Sequence, residues 1–117
     1  MTNPRYRPAE FTTEPGSFGR ARTVEWRTHS VDKGPLLEAA KIQHRFSVAI
    51  RNRALVQFGS LKSYARAADI DYPRLTQVLA GKQVMRLEDI ATAQLVLGEI
   101  VPIAQTNSAV SIRLDQV

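Results

Sequence analysis

The stretch LKSYARAADIDYPRLTQVLAGK, residues 61–82, decides how this chain is read. Two short helical runs are separated by Asp69-Ile70-Asp71, and the second opens on Tyr72-Pro73. The spacing predicts a helix over Leu61–Ala68 that buries Leu61, Tyr64, Ala65 and Ala68 on one side. Gly59 is a natural stop for whatever precedes it, and Ser60 is a suitable N-cap. Asp69 stands where the chain must leave the helix, and aspartate tolerates the left-handed backbone better than most residues. Ile70 is apolar inside the turn and is expected to plug the gap between the helices. Asp71 can cap the next helix, and Pro73 then falls in its first turn, where a missing amide hydrogen costs little. Leu75, Val78 and Leu79 face inward, and Gly81 ends the run. The outer face of this helix is left with Tyr72, Arg74, Thr76 and Gln77, and Lys82 follows its end.

Outward from this stretch the pattern stays helical. From Leu36 to Phe58 the apolar residues Leu37, Ala40, Ile42, Phe46, Ala49, Ile50, Ala54 and Val56 recur mostly three or four apart, with no Gly or Pro between them. Pro35 suits the first turn of that helix. A fourth helix is expected over about Leu87–Leu97, with Glu88 and Asp89 near its positive end and Gly98 beyond its close. Residues 1–20 are rich in Pro, Gly, Thr and Arg, have no helical period, and are read as a flexible basic arm. ARTVEWRTH, 21–29, alternates as one short strand would, with Val24 and Trp26 sharing a face. After Gly98 the period changes again. IVPIA and AVSIRL flank QTNS, which predicts a β-hairpin over 100–114 with Pro102 on an edge strand. The expected layout is thus an arm with a possible strand over 1–34, a helical domain over 35–98, and a hairpin or tail over 99–117.

Composition narrows the function classes. At 117 residues, 44% of them hydrophobic, the chain can build one core. It has no cysteine, so disulfides and thiolate metal sites are excluded. No run approaches the roughly 20 apolar residues of a membrane span, and the start lacks the apolar centre of a signal peptide. A cytoplasmic protein is expected. Residues 35–82 hold eight basic residues against three acidic ones, so this one segment carries the entire net charge of +5. A basic patch confined to a helical segment is the footprint of a polyanion binder, and a merely solvated basic surface is the bland alternative.

Ala65 lies where two helices must approach closely. Ile70 follows after five residues, Leu75 after five more and Val78 after three, a spacing that pins two helices joined by a short turn at a steep angle. Residues 61–82, with RLEDIATAQLVLG after them, resemble the Cro/lambda-repressor type of helix-turn-helix domain over about Leu36–Gly98. The likeness rests on Ala65, Ile70, Leu75, Val78 and Gly81 and on the helix that packs beneath. Two positions depart from it: the usual turn glycine is Asp69, and the frequent glutamine opening the first motif helix is Leu61.

The resemblance implies a mainly α fold of four to five helices and a sequence-specific DNA-binding regulator of repressor type, associated with the nucleoid. It places Tyr72, Pro73, Arg74, Thr76 and Gln77 where family members touch bases, and Ser60, Lys62 and Lys82 where they touch phosphates. The chemistry of these side chains agrees: glutamine can pair with adenine, arginine with guanine or a phosphate, and Thr76 and Tyr72 with a thymine methyl or backbone oxygens. One such unit reads few bases, so a homodimer on a two-part site is expected, with the hairpin at 100–114 as the favoured interface. The rival reading is an antitoxin or accessory factor whose tail holds a protein partner while the helical motif binds its own promoter.

The remaining features point less sharply. Arg5, Arg7, Arg20 and Arg22 could follow DNA into a minor groove or only solubilise the arm. His29 and His44 lack ligand spacing, so neither a metal nor another cofactor is expected. Trp26 reads as a packing residue rather than a stacking platform. No nucleophile, phosphate loop or acid–base pair forms a catalytic set, so an enzyme is not expected.

Overall fold

The structure is a computed structural model that describes residues 6–27 and 34–101. Four helices follow one another: α1 over Gly34–Phe58, α2 over Leu61–Ala68, α3 over Tyr72–Leu79 and α4 over Leu87–Leu97. The fold is mainly helical, with no strand among the described residues. The C-terminal hairpin lies outside the described residues beyond Val101.

The helix ends are set by the residues the sequence offered. The Ser60 side chain accepts a bond of 3.0 Å from the Ser63 amide and so caps α2. Asp69 adopts the left-handed backbone, φ 59° and ψ 47°. The Ile70 amide then reaches back to the Ala65 carbonyl at 2.8 Å, closing α2 with a Schellman-type bond. Asp71 caps α3 through the Arg74 amide at 3.0 Å. Gly81, φ 77°, ends α3, and the Lys82 amide bonds the Gln77 carbonyl at 2.9 Å in the same manner.

The core is built from Ala49, Ile50 and Ala54 of α1, Tyr64 and Ala65 of α2, Leu75 and Leu79 of α3, Ala93 and Leu97 of α4, and Ile100. Alanines at four of these positions keep the helix axes close, and Tyr64 fills the space between them. Burial pushes the Tyr64 hydroxyl up to about 12. At the far end, the Arg53 guanidinium donates to the Glu99 carbonyl at 3.0 Å and also to the Leu97 carbonyl, and Gln57 donates to the latter at 2.8 Å. These bonds cover the orphan carbonyls that close α4.

The inner stripe of α1 differs from the expected apolar one. Ile42 and Val56 are exposed, and the buried set includes Gln43, His44 and Ser47. Gln43 is turned to the end of α3, and His44 and Ser47 are covered by the segment over 6–27, which packs on α1 and corrects the expectation of a flexible arm for residues 6–20. It has two 3-10 turns, Pro8–Phe11 and Pro15–Ser17, each led by a proline. Ala9 and Phe18 are buried, and the Phe18, Trp26 and His44 rings meet edge to face at 5.3–6.3 Å. Burial lowers the His44 pKa, against a smaller opposing effect of the Arg22 and Ala21 backbone and with a further push from Arg45. The neutral imidazole accepts from the Gly19 amide at 2.9 Å through Nδ1.

The expected strand over 21–29 is also corrected for its described part. Residues 21–27 contribute only an isolated antiparallel bridge between Thr12 and Trp26. The segment opposite Trp26 is bent into turns on both sides of Thr12, so no ladder can extend.

The segment is held against the end of α3. The Ala9 amide donates to the Gly81 carbonyl at 2.9 Å, and a Cβ at Gly81 would fall 2.6 Å from the Phe18 ring and 2.9 Å from the Ala9 nitrogen. Gly59 has a similar φ of 83° but open space around it. Gly59→Ala should therefore cost only the left-handed backbone penalty, about 1 kcal/mol. Gly81→Ala should cost at least about 3 kcal/mol, because overpacking against the segment adds to that penalty. Urea unfolding of the two variants measures the difference; equal losses would mean that residues 6–27 are not docked on α3.

Candidate nucleic-acid interface

The α2–turn–α3 unit presents one side of α3 to solvent because Leu75, Val78 and Leu79 are drawn into the core on the other. Its motif residues lie as their spacing requires: Ala65, Leu75 and Val78 are buried, and Ile70 is partly buried against the core from within the turn. The position of α3 is fixed by a residue that the sequence reading passed over. Buried Gln43 of α1 donates through Nε2 to the Val78 and Gln83 carbonyls, both at 2.9 Å, and accepts from the Met85 amide at 2.8 Å. One side-chain amide thus satisfies three backbone groups around the end of α3 and the loop to α4. In the sequence Gln43 is only a polar break between Ile42 and Phe46, and no local signal marks it as a clamp.

The five residues expected at bases fall into two groups. Tyr72, Pro73, Thr76 and Gln77 lie on the open side of α3. Tyr72 and Pro73 are exposed at its amino end. Thr76 is half-buried and turns its hydroxyl to the Pro73 carbonyl at 2.8 Å, which leaves its methyl group as the outward contact. The Gln77 side chain forms no hydrogen bond among the described residues, so both its donor and its acceptor are open to a ligand.

Arg74 stands apart. Its guanidinium forms a two-pronged pair with Asp89 of α4, at 2.8 and 3.0 Å. Burial opposes the Asp89 carboxylate, but the bonds from Arg74 and from the Arg86 amide outweigh it and hold its pKa below the ordinary value. The hydrogen bond to Asp89 in turn raises the Arg74 pKa. Asp89 also accepts from the Arg86 amide at 2.8 Å at the start of α4, so a single carboxylate caps that helix and ties it to α3. The sequence showed Asp89 as a helix-start charge; its pairing with a residue 15 positions earlier is a product of the fold.

Of the phosphate candidates, Lys62 and Lys82 are exposed. The Ser60 hydroxyl is engaged within α2, accepting from the Ser63 amide and lying 3.1 Å from the Ser63 hydroxyl. Arg51 of α1 adds a further cation to this side, with Nε bonded to the Gly19 carbonyl at 3.2 Å. Burial lowers its pKa, and the neighbouring Arg20 lowers it further while Tyr72 acts the other way. Among the described residues, no three His, Cys, Asp or Glu side chains group as metal ligands. No helix of the described residues is long and apolar enough to cross a membrane.

No protein-family model, curated protein or solved structure matches this chain. The interface therefore stands on its own geometry.

The division between Arg74 and its neighbours is testable by unfolding. A double-mutant cycle of Arg74→Ala and Asp89→Ala should give a coupling of about 1–2 kcal/mol, as for close partners in one network. A coupling near zero would mean that the Arg74 guanidinium is free for another partner.

Proposed function

We propose that the chain is a sequence-specific DNA-binding regulator, of repressor type, built on a Cro/lambda-repressor-like helix-turn-helix domain. The observation that carries this reading is the open side of α3. It is a helix capped at both ends and clamped from behind by Gln43, with Tyr72, Pro73, Thr76 and Gln77 on its open side, Arg51 near Tyr72, and Lys62 and Lys82 exposed. In this reading α3 enters the major groove, Gln77 reads adenine with both halves of its amide, and the Thr76 methyl packs on a thymine methyl. Arg74 serves chiefly to hold α3 on α4. The cations supply most of the affinity and make it fall with salt. The protein would act in the cytoplasm on the nucleoid, without a cofactor and without catalysis.

The domain is proposed to act as a homodimer, because one reading helix covers too few base pairs to select a site. α4 offers a surface for this role: Leu87 and Leu95 are 82% and 87% exposed and lie eight residues apart with Ala91 between them, one stripe along the helix. The same exposed stripe favours the second reading, in which the chain is an antitoxin or accessory factor and a protein partner covers it.

Selection of duplexes from a random pool tests the reading. The selected site should be a palindrome bound at least about a thousandfold tighter than a scrambled duplex. Gln77→Ala should erase about 1–3 kcal/mol of that preference at one symmetric pair of positions. Equal binding to both duplexes would make the protein a general DNA coater, and copurification of a stoichiometric protein with no duplex binding would favour the second reading.

A further inference from the structure

The docked segment over 6–27 and the end of α3 enclose a cleft of about 320 Å³, lined by Arg7, Glu10 and Arg20 on one side and by Ala80, Gly81 and Lys82 on the other. Three cationic residues and one acidic residue are among those that line it. Arg20 and Lys82 form no ion pair among the described residues, and Arg7 has only an exposed contact of 3.8 Å with Glu10. Arg20 is moreover close enough to Arg51 for the two like charges to act on each other. The segment thus brings Arg7 and Arg20 to the end of α3 near Lys82, with Glu10 offsetting only part of their charge, which a stability role alone would not favour.

The walls are fixed in place. The Ala9 amide holds the Gly81 carbonyl, and the Lys82 amide holds the Gln77 carbonyl, so two of the carbonyls that would repel an anion at a helix C-terminus are covered. The Arg20 amide bonds the Ser17 carbonyl at 3.0 Å, and the preceding Gly19 amide is anchored on His44. The cleft also continues the open side of α3. Ala80 follows Gln77 by three residues, about 4.5 Å along the axis, and shares its side with Thr76 and Gln77.

We propose that Arg7, Arg20 and Lys82 form a phosphate-binding cleft that receives a backbone phosphate of the DNA strand bordering the groove occupied by α3. This rests on the DNA-binding reading above and extends it to residues 6–27. The guanidinium forks of Arg7 and Arg20 suit the non-bridging oxygens of a phosphodiester, and Lys82 closes the site from the other wall as a point charge. Glu10 lowers the net charge of the cleft and favours a singly charged phosphodiester over a dianionic free phosphate. The segment is therefore part of the binding surface as well as a brace for α3.

Fluorescence anisotropy with the selected duplex and its scramble, across a sodium chloride series, tests the cleft. Arg7→Ala with Arg20→Ala should weaken both duplexes about tenfold at 0.1 M salt and lower the log–log salt slope by about one, as for one phosphate. The sequence preference should stay, and so should the thermal midpoint, since both side chains are exposed. The lysine pair Arg7→Lys with Arg20→Lys should keep most of the slope, whereas Gln77→Ala should lose preference with an unchanged slope. Wild-type binding whose slope survives the alanine pair would overturn the cleft and leave the DNA reading standing. Absence of duplex binding by the wild type would overturn both. Inorganic phosphate that displaces DNA at matched ionic strength from the wild type, but not from the alanine pair, would show a free-anion site and overturn the assignment to the DNA backbone.

Discussion

The amide of Gln43 holds the arrangement together. It is buried on α1, and its two hydrogen bonds to carbonyls and one from an amide fasten the last turn of α3 and the loop to α4 onto the longest helix. The Val78 carbonyl also accepts from the Gly81 amide at 3.1 Å, whereas the half-buried Met85 amide takes its bond from Gln43, and losing such a bond costs about 1–3 kcal/mol. With Gln43 behind it and the Arg74–Asp89 pair beside it, a helix of eight residues keeps one orientation although too short to be stable alone. That rigidity lets the outer face of α3 be composed for something other than stability.

The 6–27 segment braces the same helix from outside. Ala9 bonds to Gly81, Phe18 covers the glycine, and Gly19 sits against the Leu79 carbonyl and Ser47. Because neither Gly19 nor Gly81 has a Cβ, two backbones meet almost directly. His44 and Ser47 of α1 are thereby buried where a free helix would show them to water. The brace and the cationic cleft are two consequences of one docking.

How much of this was legible in the sequence depended on whether the cause was local. All four helices could be placed, because their ends are written in single residues: Ser60, Asp71, Gly81 and Gly98. The left-handed turn at Asp69 and the inward set Ala65, Leu75 and Val78 followed from spacing. Residues 6–20 read as part of a flexible arm and 21–27 as a strand because 3-10 turns and a single bridge have no period to detect. Gln43 and the Arg74–Asp89 pair were invisible for a related reason. The partners of the buried glutamine lie 35 to 42 residues away and the ion pair joins residues 15 apart on different helices, and nothing beside them in the chain announces those partners. The outer side chains of α3 could be named in advance, but only the fold separates Arg74, already engaged, from Gln77, which is open.

The proposed function depends most on α3 being the surface that meets DNA, and amide chemical-shift mapping of the 15N-labelled protein with its selected duplex tests this directly. The largest changes are expected at Tyr72, Thr76, Gln77, Ala80 and Lys82, with Gly19 and Arg20 following, while Ala93 and Leu97 in the core stay in place. Changes concentrated on Leu87, Ala91 and Leu95 of α4, with α3 unmoved, would contradict it.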